Sequence, residues 1–116
     1  EEFVKGLRLA VTEGTASQVL SDAADPSGRN VTSRRRDISA WLKSLDHDTK
    51  LMLEELLYEA ADSAVFGFLC ALDGVRKVTN DEGNFELRFV TTTSSTVITR
   101  TDDQDEDLHD VYGHLQ

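Results

Sequence analysis

The stretch "DSAVFGFLCALDG", residues 62–74, is apolar from Ala64 to Leu72 with a glycine at its centre, and three readings compete for it. A run of about nine apolar residues falls far short of the roughly twenty that cross a bilayer, so a membrane span is excluded. A buried strand would favour β-branched residues, whereas Ala, Leu, Phe and Cys dominate here. The helical phase also enters the run without a breaker from Leu51, Met52, Leu53, Leu56, Leu57, Ala60, Ala61 and Ala64, with Glu54, Glu55, Glu59 and Asp62 on the complementary side. The stretch therefore predicts the second half of a central helix over 47–73, covered on every side, with Gly67 letting one neighbour approach closely.

Working outward, Asp73-Gly74 ends this helix, and a carboxylate at Asp46 or Asp48 caps its start beside His47. On the N-terminal side, Phe3, Leu7, Ala10 and Val11 draw an apolar stripe over 2–13, Gly14 is the expected stop, and Thr15 caps a second helix over 15–24. Residues 25–36 turn polar and read as a mobile loop carrying Arg34, Arg35 and Arg36, the densest positive patch and a candidate anion-binding site. Paired with nearby acids, the same arginines are an ordinary solvated surface. A helix over 37–45 follows, in which Trp41 shares its face with Ile38, Leu42 and Leu45 and reads as a core anchor.

Beyond Gly74 the period changes to two. Strands are expected at 75–79, 84–92 and 95–101, forming a three-stranded antiparallel meander against the central helix, and a short helix closes the chain at 107–115. The fold class is α+β, in a single domain over 1–116.

Twelve basic against twenty-two acidic residues give a formal charge of −10, which argues against nucleic-acid and anionic-membrane partners and favours a protein with a basic surface. The single cysteine, Cys70, lies in the apolar run, forms no internal disulfide, and stands at no helical spacing from a histidine. With no secretory pattern in residues 1–6, a reducing, cytoplasmic setting is the expectation.

No nucleophile elbow, phosphate loop or dinucleotide fingerprint occurs, so no catalytic residue and no cofactor are assigned. Two functional readings remain. The first is a small acidic interaction module, of immunity, inhibitor or assembly-subunit type, contacting its partner through Glu54, Glu55, Glu59 and Asp62 or through Asp103, Asp105 and Asp107; self-association is compatible with it. The second is a small metal-dependent hydrolase built on Asp103, Asp105, Asp107 and His109. The acidic run misses the calcium-loop pattern, because Leu108 and His114 stand where glycine and glutamate belong.

Overall fold

The computed structural model describes residues 2–99 and 106–115. Helices α1 (Glu2–Leu7), α2 (Glu13–Ala24), α3 (Ser33–Ser44) and α4 (His47–Leu72) are followed by strands β1 (Arg88–Val90) and β2 (Ser95–Val97) and by helix α5 (Leu108–Gly113). The architecture is α+β and mostly helical. Among the described residues no helix is long and apolar enough to cross a membrane. The chain divides into two compact units, Glu1–Leu9 with Asp62–Gln116, and Ala10–Ala61.

The first unit has its core where Val4 of α1, Leu69 of α4, and Leu108 and Tyr112 of α5 meet, with Phe3, Leu7, Val65, Leu72 and Ile98 packed against them. Val65, Leu69 and Leu72 recur at helical spacing, so α4 buries one stripe here. It is not covered on every side, as the apolar run suggested: Phe68 is 62% exposed and Phe66 lies at the surface. The sheet explains the difference. It is a two-stranded antiparallel hairpin pairing Arg88 with Val97, Phe89 with Thr96 and Val90 with Ser95, not a three-stranded meander. Three-residue strands, with β1 exposed throughout, are too small to wrap a helix.

The expected strand at 75–79 is absent because its backbone closes α4. Gly74 N–H donates to Ala71 O (3.2 Å) and Val75 N–H to Cys70 O (2.9 Å), with Gly74 at φ 80°. That pair of bonds is a Schellman stop, and it occupies amides a strand would have needed. Arg76 N–H is also spent on Cys70 O. The hairpin loop is tied by Thr91, which donates its N–H to Ser94 O and accepts Ser94 N–H on Oγ1, 2.8 and 2.9 Å. The close neighbour that Gly67 admits is the Arg76 guanidinium, whose Nη1 would stand 2.7 Å from a Cβ at that position.

In the second unit α2 packs on α3, and Ala16, Ala23, Ser39 and Leu42 are buried. Ser39 Oγ donates to the Ala24 carbonyl and ties the two helices. Gly14 does not interrupt the chain. It lies inside α2, which follows a π-helical segment, Arg8–Thr12, directly after α1. One glycine costs a helix only about 1 kcal/mol, and Thr15, expected as a cap, instead donates its hydroxyl back to Val11 O at 2.5 Å, a bond compatible with a helix interior.

The expected loop over 25–36 is shorter than its composition implied. α3 begins at Ser33, with Thr32 Oγ1 accepting Arg35 N–H at 3.2 Å, so Arg34, Arg35 and Arg36 form the first helical turn rather than a mobile loop. Trp41 is also corrected: it is 52% exposed, while Leu42 turns inward. The start of α4 agrees with expectation, since Asp46 Oδ1 accepts Thr49 N–H at 2.8 Å. Hydrogen bonds from Thr49 hold the Asp46 carboxyl below its ordinary range.

Candidate functional site

A chemically distinctive cluster forms where the end of α4 meets the start of α5. Asp73 follows the last residue of α4, and its side chain is wholly buried. Its Oδ2 accepts the backbone N–H of His109 at 2.8 Å and lies 2.7 Å from His109 Nδ1. Asp73 thereby serves an early amide of α5, a role that Asp107, the residue preceding that helix, does not perform with its side chain. The other Asp73 oxygen, Oδ1, is buried and has no hydrogen-bond partner among the described residues.

His109 is held from several directions. The Phe66 ring meets it edge-on at 5.9 Å between centroids, and its Nε2 lies 3.4 Å from Asp110 Oδ1. Asp107 completes the group. Asp73, Asp107 and His109 each present a ligand atom, all within 4.8 Å of one another.

Of the four residues expected to build a metal site, Asp107 and His109 are described and the structure brings them together. Asp103 and Asp105 lie outside the described residues. Asp73 was missed, although a local signal existed: a carboxylate at a helix C-terminus opposes the helix dipole and calls for a compensating partner. The partner stands 36 positions away, which no local pattern reveals.

The acidic residues of α4 separate into different roles. Met52, Glu55, Leu56 and Glu59 recur at i, i+3, i+4 and i+7 and are all exposed, Met52 by 61% and Leu56 by 63%. Glu54 instead lines an apolar cleft of about 350 Å³ together with Leu20, Leu42, Lys43 and Leu51. Asp62 turns inward: its Oδ1 accepts the Tyr112 hydroxyl at 2.7 Å and lies 3.4 Å from Arg8 Nη1. Arg8 also stands over the Tyr112 ring, 5.4 Å from its centroid.

Arg34, Arg35 and Arg36 are exposed on the first turn of α3, where Arg36 donates to Val31 O at 2.9 Å. Cys70 is buried, and that burial pushes its thiol pKa up, with Asp73 and Asp110 adding to the effect and Arg76 opposing it. No protein-family profile, curated protein or solved structure matches this chain.

Proposed function

We propose that this chain is an acidic binding module that takes a basic, amphipathic segment of another protein on the first half of α4. The observation that carries the reading is the exposed face on which Met52 and Leu56 form an apolar ridge flanked by Glu55 and Glu59. An apolar ridge beside carboxylates complements a helix with apolar residues on one face and lysine or arginine beside them. The formal charge of −10 supplies steering toward such a partner. Asp62 is left out of this surface, because its carboxylate is engaged with Tyr112 and Arg8.

The test is fluorescence polarisation with a labelled Lys/Leu amphipathic peptide, against a Glu/Leu peptide of the same pattern, at low and high salt. Binding of the Lys/Leu peptide alone, weakened by salt, is expected. Leu56→Ala is expected to remove about 1–2 kcal/mol of it, since more than half of the leucine remains to be buried. Charge-driven adsorption without a site would leave Met52→Ala and Leu56→Ala binding as tightly as the parent, and that result defeats the reading.

A further inference from the structure

We infer that Asp73, Asp107 and His109 form a binding site for a transition-metal dication, with Zn2+ the best match to the donor set. The inference goes beyond the proposed partner surface and does not depend on it, because the three residues belong to the other compact unit.

Two independent observations point to a cation. The first is the donor geometry: two carboxylates and an imidazole converge with their ligand atoms within 4.8 Å. The second is the Asp73 side chain, wholly buried and belonging to that same cluster, whose Oδ1 has no hydrogen-bond partner among the described residues. A buried carboxylate oxygen without a partner carries a desolvation cost. Its position after the last residue of α4, where backbone carbonyls already accumulate negative charge, adds to that cost. A metal ion bound at the carboxylate removes both penalties.

The surroundings of His109 suit the same ion. Asp110 Oδ1 lies 3.4 Å from Nε2, the ring nitrogen turned away from Asp73. An outer carboxylate beside the second ring nitrogen of a metal-binding histidine is a recurrent arrangement. On binding, the ion takes the Nδ1 lone pair, and any proton held between Nδ1 and Asp73 Oδ2 leaves to solvent. The Asp73 to His109 backbone bond at 2.8 Å restrains the two ligands relative to each other.

The donor types select the ion. Calcium takes six to eight oxygen ligands and magnesium prefers oxygen alone, whereas an imidazole with carboxylates suits zinc and its first-row neighbours. Three protein ligands leave one position of a tetrahedral zinc for water. Bound there, the ion links the end of α4 to the start of α5.

The experiment uses the full chain, freed of metal with a chelator and then exchanged into chelator-free buffer. Zinc chloride is titrated in by calorimetry, and thermal melting is followed with Zn2+, Mn2+, Mg2+ and Ca2+. One equivalent of zinc is expected to bind and raise the melting temperature; at a free concentration of 100 times Kd the folding equilibrium shifts about 100-fold. Magnesium and calcium are expected to shift melting less. Asp107→Asn, whose side chain caps no helix, is expected to weaken zinc at least tenfold with the fold retained by circular dichroism. Asp73→Asn is expected to lose the zinc response as well. In the parent, Co2+ in place of zinc is expected to give the strong visible absorption of a tetrahedral site, and this band is expected to vanish in His109→Gln. Absence of zinc-dependent heat or stabilisation in the parent overturns the inference. So does a zinc response that persists unchanged in Asp107→Asn and Asp73→Asn, which would place the ion on other acids or on His47 or His114.

Discussion

Replacing Tyr112 by Phe tests whether Asp62 is an internal acceptor rather than part of a partner surface. Tyr112 is wholly buried, and its hydroxyl donates to Asp62 Oδ1 at 2.7 Å. A hydrogen bond to a charged group contributes about 1.5–3 kcal/mol. Asp62 retains Arg8 at 3.4 Å, and both side chains keep some exposure, 19% and 14%, so the loss falls toward the lower end, about 1–2 kcal/mol. Asp62→Ala removes the acceptor from both Tyr112 and Arg8 and is expected to cost more, about 2–4 kcal/mol. The double variant should cost less than the two single variants together, with a coupling of about 1 kcal/mol.

Urea unfolding followed by far-UV circular dichroism measures all four proteins. The midpoint should move while the slope stays constant. Hydrogen exchange at the α5 amides localises the effect. A Tyr112→Phe protein within 0.3 kcal/mol of the parent, or additive single variants, would refute the reasoning. In the peptide assay Asp62→Asn should leave affinity unchanged, in contrast with Glu55→Gln and Glu59→Gln, which lower it and its salt dependence.

Two further outcomes follow from the glycines and the cysteine. Gly74→Ala is expected to destabilise by about 1–2 kcal/mol, because φ is 80° there, whereas Gly67→Ala displaces only the end of the Arg76 side chain and gains up to about 1 kcal/mol of helix propensity; equal thermal shifts would contradict this contrast. Cys70 should resist iodoacetamide until the protein unfolds. Burial raises its thiol pKa in the folded state, so the unfolded chain loses its proton first: stability is fully present below the unfolded thiol's pKa and is lost as pH rises through the folded one. Rapid alkylation of the native protein at neutral pH, or a Cys70→Ala variant with the same alkaline stability loss as the parent, would count against that burial.

The sequence by itself determined what short-range geometry controls. The apolar spacing from Leu51 onward specified α4, and Asp73-Gly74 specified its end, because a left-handed residue after a helix is a local requirement that glycine meets. Local signals also misled where two of them conflicted. The polar composition of residues 25–36 read as a loop, yet the Thr32 cap sufficed to begin α3 at Ser33 even though arginines in a first turn oppose the helix dipole. The apolar run read as buried all round because composition shows what a surface would prefer and not what is available to cover it. A hairpin of three-residue strands leaves Phe68 exposed.

Tertiary structure alone decided the site. Asp62 meets Tyr112 across 50 positions and Asp73 meets His109 across 36, so neither pair has a periodic signature in the chain. Asp62 belonged by periodicity to an acidic helix face and Asp73 to a helix stop. Only the packing of α5 beside the second half of α4 turned one into an internal acceptor for Tyr112 and set the other against His109.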